Sequence, residues 1–553
     1  MKEKKKNRRR QNAKEDVEIY DLLDNLGEEP KRKPKRRRTL DMELDKQIKT
    51  IKPMKSAKPV RPAKPVKTTK SNKEAKAANF IRPAKSKKKK TIRNKEFARV
   101  TYLFVSLFLF MLGYIVYFHV VRSKDIINSP YNIRQDTFAD RVIRGKILDK
   151  DGNVLAQTNV ADDGSETREY PYGNVYAHIV GYATQGKSGI ESVNNFDLLT
   201  SNAFFLERMM KELRDEKNVG DNLVTTLNTT LQEAAYQAMG GNRGAVIVIE
   251  PSTGKILASV SKPDFNPNEV VTNWESLNSS EDSRLLNRAM QGRYAPGSTF
   301  KVVSTLAYMR ENPNYAEYSF LCEGAFTYEG TTIQCMNHYA HGTVDLEGSL
   351  AYSCNASYSN MATQLDVSAF QGAAESLLFE QDLPAPVQTS RSQLGLDEKS
   401  YTADKMMTAI GQGQLQVNPY HMALIAAAIA NDGMLMKPYL VSEVQNYTGS
   451  TVKKYTPSSY GDIMSMREAM HLAADMQAVV NYGTGTALNG RGYTAAGKTG
   501  TAEVSADKTR THSWFMGYRN VDNPDLAICV VIENSNESGA TAIHVARAVF
   551  DAY

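Results

Sequence analysis

One uninterrupted apolar run dominates the hydrophobic pattern of the chain. Residues 100–121 contain no Lys, Arg, Asp or Glu and are flanked by Arg99, Arg122 and Lys124. About 20 such residues are enough to cross the hydrocarbon core of a bilayer as a helix. The length, the charged flanks and the position far inside the chain favour one membrane span over a buried core helix or a cleaved signal peptide.

Alternating apolar and polar residues predict strands near both ends of the region that follows. In residues 144–156 the alternation flanks the turn Lys150-Asp151-Gly152 and predicts a hairpin. Two paired strands are predicted at 244–250 and 256–260, and two more strands at 512–519 and 526–534.

Helices are predicted beside these strands and through the Ala-rich middle. Thr229 and Gln232 have the spacing of a capping box for a helix over Leu231 to Met239. Residues 539–553 predict a closing amphipathic helix. Strands at both ends and helices between them describe one antiparallel sheet, assembled from distant segments and covered by helices.

Charge divides the chain into two parts of opposite sign. Residues 1–99 hold 35 Lys and Arg against 13 Asp and Glu, a net of +22, and the remainder has a net of −14, so that the whole is +8. Because positive flanks stay in the cytoplasm, we expect the tail inside and residues 122–553 outside the inner membrane. The Lys- and Pro-rich tail has too little apolar surface to fold, so we expect disorder.

The tail is either a merely solvated charge run or a segment with a partner. Anionic lipid would attract it, and we expect no nucleic acid as its partner. An acidic segment at residues 15–29 has apolar residues at helical spacing and is compatible with a short docking helix.

Two incompatible motifs overlap at residues 492–504. Gly492 and Gly497-Lys498-Thr499 match the phosphate-loop spacing, whereas Lys498-Thr499-Gly500 matches a triplet that lines the cleft of serine acyltransferases from a strand. A phosphate loop needs a strand before it and a helix after it, but Gly- and Asn-rich residues precede Gly492 and a predicted strand follows Thr501. The triplet on a strand is therefore favoured.

Two further triplets complete a serine acyl-transfer pattern. Ser298 and Lys301 are three residues apart, hence on one face of a predicted helix, whose N-terminus would stabilise a developing alkoxide. A lysine serves as base for a serine if burial or a second cation, here Lys498, lowers its pKa. Ser353 is a candidate proton relay, and Asn355 is a candidate to hold a substrate amide. Three triplets in this order form a strong joint signal.

With these triplets, residues 140–553 resemble the penicillin-binding proteins, the acyl-serine transpeptidases of bacterial cell-wall synthesis. Framework stretches such as GAVIVIEPSTGKILASVSKPDFNPN and AIGQGQLQVNPYHMALIAAAIANDG carry the same resemblance. It implies an α/β (α+β) fold, a five-stranded antiparallel sheet covered by helices plus an all-helical subdomain. It also implies stem peptides ending in D-Ala-D-Ala as substrates, inhibition by penicillin and other β-lactams, and no cofactor or metal.

The resemblance also assigns roles to individual residues. Ser298 is implied as the acylated nucleophile, Lys301 as its base, and Ser353 with Asn355 as the middle motif. Lys498 and the substrate-binding residues Thr499, Gly500 and Thr501 are implied to bind the terminal carboxylate of the substrate. The backbone N–H groups of Ser298 and Thr501 are implied to form the oxyanion hole.

The resemblance favours class B of the family, close to its small-pedestal Gram-positive members. Class A members carry a glycosyltransferase domain, for which residues 122–220 are too short. We expect a tail at 1–99, a transmembrane helix at 100–121, a linker and small β-rich pedestal at 122–220, and the transpeptidase domain at 221–553. A membrane glycosyltransferase of the cell-wall machinery is the expected partner. The pattern leaves open a role in division, elongation or sporulation.

Two other functions remain alternatives. A D,D-carboxypeptidase or a β-lactamase-type hydrolase must activate water, yet no Glu-x-x-Leu-Asn-like segment follows the middle motif, and Asn355 argues against the Ser-x-Val lactamases. A non-catalytic penicillin-sensing receptor or scaffold would signal inward through a cytoplasmic enzyme or protease, and residues 1–99 contain no such domain.

The cysteines and histidines leave two further alternatives. The four cysteines are expected as free buried thiols or with one Cys322–Cys335 disulfide. Cys335, His338 and His341 have a spacing compatible with zinc, but we expect no metal, since the resemblance implies none and no His-Glu-x-x-His occurs.

Overall fold

The computed structural model describes residues 95–118, 141–504 and 509–553. The predicted disorder of most of the tail, the docking helix at 15–29, the end of the transmembrane run at 119–121 and the linker part of 122–220 up to residue 140 lie outside these residues.

The apolar run forms the helix Lys95–Tyr117, which has 23 residues and no buried side chain. Within the described part of the chain it is the helix that is long and apolar enough to cross a membrane. At about 1.5 Å per residue it extends over about 35 Å, more than the hydrocarbon core of about 30 Å. The helix begins before the apolar run, and its first turn includes the charged residues Lys95 and Glu96.

Five strands form the main sheet, and all neighbouring pairs are antiparallel. In spatial order they are Ala495–Glu503, Thr511–Arg519, Leu526–Ile532, Gly244–Ile249 and Ile256–Lys262. The third and fourth strands join the two ends of the region, with Cys529 opposite Ile247. The prediction of one antiparallel sheet assembled from distant segments is confirmed.

Both faces of the main sheet are buried against helices. Val246 and Val248 pack into a core with the helices Thr229–Met239 and Ala542–Asp551. Their neighbours Ala245, Ile247 and Ile249 enter a second core with the helix Pro419–Ala430. Because each face has its own core, the strand Gly244–Ile249 is a continuous apolar run without polar alternation.

The cap of the helix Thr229–Met239 differs from the prediction. Asn228 is the N-cap, and its Oδ1 accepts a hydrogen bond from the N–H of Leu231 at 3.4 Å. The amide of Gln232 instead donates to the carbonyl of Val175 at 2.7 Å and to that of Ser259 at 2.9 Å. The capping box was wrong because tertiary partners take up the Gln232 side chain.

Helices dominate the chain between the two halves of the main sheet, as predicted. In chain order they are Val270–Asn278, Arg288–Gln291, Lys301–Glu311, Leu346–Ala351, Asn355–Thr363, Val367–Ser376, Thr402–Ala409, Pro419–Ala430 and Met466–Asn481. The short helix Ser535–Ser538 follows the last strand.

Small hairpins interrupt this helical region. We call residues 320–344 the insert; its strand Phe320–Cys322 pairs with Gly342–Val344, and Ala325–Tyr328 pairs with Thr331–Gln334. A further pair joins Met434–Met436 to Ser459–Asp462. These short strands carry too little periodicity to be predicted from sequence.

A second sheet of six strands lies in the pedestal. Its order is Thr451–Lys454, Val441–Gln445, Asn222–Thr225, Ile147–Leu148, Val154–Val160 and Glu166–Glu169. The hairpin predicted around Lys150 to Gly152 is confirmed by the antiparallel pairing of Ile147 with Ala156. Two strands of this sheet come from late in the sequence, so the sheet joins the pedestal to residues 441–454. The remaining pedestal elements are the paired strands Val142–Ile143 and Asn218–Val219, and the helices Gly189–Val193, Asn195–Leu198 and Phe205–Leu213.

A buried ion triad stabilises the pedestal. Glu191 has no exposed surface, and its two carboxylate oxygens lie 2.5 Å from Arg144 and 2.8 Å from Arg168. Burial alone would raise the pKa of Glu191, but the two guanidinium groups outweigh it and lower that pKa. The carboxylate is therefore held in its charged form.

Candidate active site

Ser298 lies in a short 3-10 turn, Gly297–Phe300, which leads directly into the helix Lys301–Glu311. Gly297 has φ +54°, a left-handed conformation that favours glycine. A Cβ on Gly297 would lie 2.4 Å from the carbonyl oxygen of Thr501, so the turn packs directly on the strand Ala495–Glu503. The missing side chain of Gly297 thus brings Ser298 beside the third triplet.

Two further contacts fix this turn. The N–H of Gly297 donates to the carbonyl of Gly411 at 2.9 Å, and a Cβ on Gly411 would lie only 1.8 Å from the carbonyl oxygen of Gly297. On the preceding residues, the indole N–H of Trp514 donates to the carbonyl of Ala295 at 3.0 Å. The turn is therefore held by the backbone of Gly411 and by the side chain of Trp514.

Lys301 connects the first triplet to the middle one. Its side chain is fully buried, and Nζ lies 2.7 Å from the carbonyl oxygen of Ser353, 3.2 Å from Ser353 Oγ and 2.7 Å from Asn355 Oδ1. Burial lowers the pKa of Lys301 to about 7. A substantial fraction of the amine is therefore neutral near neutral pH, as a general base requires.

The middle triplet has a constrained backbone. Ser353 has φ +56°, which is unusual for a residue with a side chain, and Asn355 begins the helix Asn355–Thr363. Asn355 also donates from Nδ2 to the carbonyl of Gln334 in the insert, at 2.9 Å. The amide of Asn355 therefore joins Lys301 to the insert.

The third triplet lies on the free edge of the main sheet. Lys498 is fully buried, and its Nζ donates to the carbonyl of Thr499 at 3.0 Å. Burial, and then repulsion by Lys301, lower the pKa of Lys498 well below its usual value. The hydroxyl of Thr499 lies 2.6 Å from that of Thr484. Lys301 therefore disfavours the charged form of Lys498.

The backbone N–H groups of Ser298 and Thr501 belong to two segments that pack against each other. In an antiparallel strand the N–H and C=O of one residue point to the same side. Because the carbonyl of Thr501 faces Gly297, the N–H of Thr501 also faces the free edge of the sheet. Ser298 lies in the first turn of a helical segment, where N–H groups have no intrahelical partner.

The phosphate-loop interpretation is wrong. Lys498 and Thr499 lie inside the nine-residue strand Ala495–Glu503, and the strand Thr511–Arg519 pairs with it along its whole length. The described residues directly after Thr499, 500–503, continue the strand and offer no helix N-terminus to a phosphate.

Sequence reasoning missed the two residues that orient the site from outside the triplets. Gly411 supports the turn of Ser298, and Gln334 holds Asn355. The Gly-Gln-Gly pattern at 411–413, where both glycines have positive φ, was the available signal for the first. Gln334 had none, because it contacts Asn355 only through its backbone carbonyl.

The cysteines differ from the disulfide expectation. All four lie in the described part of the chain and are free, and the sulfurs of Cys322 and Cys335 are 3.7 Å apart, too far for a disulfide bond. Cys354 and His341 lie against the same pair, whereas His338 is exposed and outside this group. The sulfurs of Cys322 and Cys335 are thus not bonded to each other, and Cys354 and His341 lie beside them.

The fold and the three adjoining triplets define an acyl-serine transpeptidase. Residues 244–552 match the family model of the penicillin-binding protein transpeptidase domain, and residues 144–223 match that of the penicillin-binding protein A dimerisation domain. The chain belongs to the penicillin-binding proteins, in their class B.

Named relatives agree with this assignment. The chain is 29% identical to the peptidoglycan D,D-transpeptidase PbpA of Mycolicibacterium smegmatis, over 83% of this chain and 99% of that protein. It is 30% identical to PbpA of Mycobacterium tuberculosis, over 72% of this chain and 87% of that protein. The crystal structure of the M. tuberculosis protein covers 74% of this chain and 98% of its own, with a TM-score of 0.67 and 28% identity. Its imipenem acyl-enzyme complex, at the same identity, has a TM-score of 0.68 and covers 75% of this chain and 98% of its own.

Proposed function

We propose that this chain is a membrane-anchored peptidoglycan D,D-transpeptidase, which cross-links stem peptides through an acyl-serine intermediate and is inhibited by β-lactams. The observation that carries the proposal is the buried Lys301, three positions after Ser298, whose amine contacts the side chains of Ser353 and Asn355. The relatives named D,D-transpeptidase and the β-lactam acyl-enzyme structures support it.

In the acylation step, Ser298 Oγ attacks the carbonyl carbon of the penultimate D-Ala of a stem peptide. The hydroxyl proton passes to neutral Lys301, which the lowered pKa of about 7 keeps available. The bond to the terminal D-Ala breaks, and its nitrogen receives the proton from Lys301 through Ser353. The 3.2 Å contact between Lys301 Nζ and Ser353 Oγ supports this relay.

The charges that develop in this step have candidate partners. The N–H groups of Ser298 and Thr501 donate to the oxyanion of the tetrahedral intermediate. Lys498, Thr499, Gly500 and Thr501 bind the terminal carboxylate at the free edge of the sheet. Repulsion between Lys301 and Lys498 supports this role, because a bound carboxylate would relieve it.

The second half-reaction decides between a transpeptidase and a hydrolase. The amine of a second stem peptide attacks the acyl-serine carbonyl and transfers its proton to the amine of Lys301. As the ester bond breaks, Lys301 returns this proton to Ser298 Oγ, which leaves as the free hydroxyl. A β-lactam leaves an acyl group that no such amine removes, so we expect a long-lived adduct.

Covalent labelling with a fluorescent penicillin tests this proposal. We expect labelling of the wild type, no labelling of Ser298→Ala, and unchanged labelling of the control Ser252→Ala, whose serine is exposed in a turn of the main sheet. A labelled Ser298→Ala protein would contradict the assignment of the nucleophile. An adduct that clears within seconds would favour a hydrolase.

We further propose that the basic tail is cytoplasmic and that the pedestal at 122–220 and the transpeptidase domain at 221–553 are extracytoplasmic. The apolar helix Lys95–Tyr117, preceded by the basic tail, supports this topology. External protease added to intact protoplasts should remove the folded part and spare an epitope at residue 1. Loss of that epitope alone would indicate the reverse orientation.

A membrane glycosyltransferase is the proposed working partner, because cross-linking consumes stem peptides carried on newly polymerised glycan strands. Co-reconstitution of the full chain with such an enzyme and its lipid-linked substrate should give cross-linked product. Omission of the polymerase should abolish it. Equal cross-linking without polymerisation would argue against the partnership.

A further inference from the structure

Three cysteines and one histidine form a compact group directly behind the middle triplet; we call Cys322, Cys335, His341 and Cys354 the cysteine cluster. Their ligand atoms all lie within 4.8 Å of one another. The three sulfurs are buried and His341 is half-buried. Three of the four residues belong to the insert, and Cys354 stands between Ser353 and Asn355 in the chain.

Three of the six distances within the cysteine cluster match the edges of a tetrahedral site, and the other three are no longer than 4.8 Å. Cys335 Sγ lies 3.7 Å from the sulfurs of both Cys322 and Cys354, and Cys322 Sγ lies 3.4 Å from His341 Nδ1. Zinc bonds of about 2.3 Å to sulfur and about 2.05 Å to nitrogen give tetrahedral edges of about 3.8 Å between sulfurs and about 3.6 Å between sulfur and nitrogen. These three distances differ from the tetrahedral edges by about 0.2 Å or less.

We propose that the cysteine cluster binds one zinc ion, with three thiolates and one imidazole as ligands. Soft thiolates in a tetrahedral arrangement select zinc over hard cations such as Mg²⁺ or Ca²⁺. Binding releases the thiol protons, and the resulting thiolates accept hydrogen bonds from backbone N–H groups. Two such groups are in place: Ala356 N–H lies 3.5 Å from Cys335 Sγ, and Ser357 N–H lies 3.4 Å from Cys354 Sγ.

The surroundings of the cysteine cluster explain what a metal would do. The insert consists of two-stranded hairpins; the small apolar cluster beside its cysteines comprises Ala356 and the partly buried Phe320 and Phe326, and Ile333 enters the main core. Such a small core rarely holds a hairpin pair by itself, and a structural metal compensates for it. The zinc ion would tie the insert to the loop of Cys354.

A positioning effect on the active site follows from the chain order. Ser353, with φ +56°, directly precedes Cys354, and Asn355 directly follows it; both contact Lys301. A metal ion that holds Cys354 in place would therefore also hold Ser353 and Asn355, the two residues that contact the Lys301 amine. This positioning role rests on the proposed function, whereas metal binding does not.

Metal content tests the proposal on the full-length chain in detergent, purified without a polyhistidine tag and dialysed against a weak chelator. We expect about one zinc per chain in the wild type and less than about one tenth in the double variant Cys322→Ser/Cys335→Ser. His338→Ala is the matched control, since His338 is an exposed histidine of the same insert, and it should retain zinc. Equal zinc in wild type and double variant would show adventitious metal and overturn the site.

A second measurement covers the case in which the double variant fails to fold. Wild-type protein stripped with a strong chelator is titrated with Co²⁺, and the absorption bands of tetrahedral cobalt thiolate should saturate at about one equivalent. Metal-free protein with a Cys322–Cys335 disulfide, detected by mass spectrometry under non-reducing conditions, would overturn the proposal.

Acylation reports the positioning role separately. Stripped protein should react with fluorescent penicillin about tenfold or more slowly than the zinc-bound form, and Zn²⁺ should restore the rate. An unchanged rate after complete loss of zinc would refute the positioning role. Loss of labelling in zinc-bound wild type would instead contradict the proposed function.

Discussion

The contact between Gly411 and Gly297 leads to a sharp prediction for Gly411→Ala. Gly411 has φ +81°, and an added Cβ would lie 1.8 Å from the carbonyl oxygen of Gly297. Since real Cβ atoms essentially never approach closer than 3.0 Å, the two segments must separate by about 1.2 Å. The segment that moves carries Ser298.

The size of the effect follows from this displacement. A misplacement of about 1 Å in a catalytic group costs about 100-fold in rate, or about 2.7 kcal/mol of transition-state stabilisation. The left-handed backbone adds a separate cost of about 1–2 kcal/mol in stability for any residue with a side chain. Only the displacement of Ser298 lowers the rate of acylation.

Gly164→Ala separates the two effects. Gly164 has φ +82° in a pedestal turn, and an added Cβ would meet no atom within 4 Å. Both variants bear the backbone cost in thermal unfolding, to which Gly411→Ala adds the cost of the clash, but only Gly411→Ala should lose about 100-fold in the second-order rate of acylation by fluorescent penicillin. A wild-type rate in folded Gly411→Ala, or an equal loss in Gly164→Ala, would refute the reasoning.

Three further predictions concern charged groups. Because burial lowers the pKa of Lys301 to about 7, the acylation rate should rise about tenfold from about pH 6 to about pH 8 as the amine loses its proton; a flat profile would contradict its role as base. Lys498→Ala should slow acylation by about 100-fold or more, and calorimetry should detect no ATP binding to the wild type; ATP affinity lost in that variant would revive the nucleotide site. Glu191→Gln should lower the free energy of unfolding by about 3–5 kcal/mol, because it leaves two buried guanidinium groups without their carboxylate. The control Lys217→Ala removes a partly exposed ion pair with Glu166 and should cost about 1 kcal/mol or less; equal costs would show that the triad is not stabilising.

The Glu191 triad also sets the sign of a pH effect. The arginines lower the folded pKa of Glu191 below its usual 4.5. Its contribution is therefore complete above about pH 4.5 and is lost as the pH falls through the folded pKa. The free energy of unfolding of the wild type, measured with denaturant, should fall as the pH falls through that range. Glu191→Gln should remove this part of the pH dependence. If the stability of Glu191→Gln falls with pH as that of the wild type does, other carboxylates cause the pH dependence.

Local patterns determined the elements and the three triplets. The run Gly244–Ile249 predicted a strand because its residues are apolar throughout, and 539–553 predicted a helix because its apolar residues recur at helical spacing. Ser298 and Lys301 were recognisable because they are three positions apart, the spacing of one helical face. These features depend on neighbours in sequence, which periodicity records.

Tertiary structure alone decided which distant residues meet. Gly411 approaches Gly297 and Gln334 meets Asn355, although more than a hundred residues separate the first pair. Two strands within residues 441–454 complete the sheet that begins in the pedestal, and four separated residues gather in the cysteine cluster. No local pattern encodes such proximity, because it results from strand register and the packing of whole elements. Those long-range contacts join the triplets into one site.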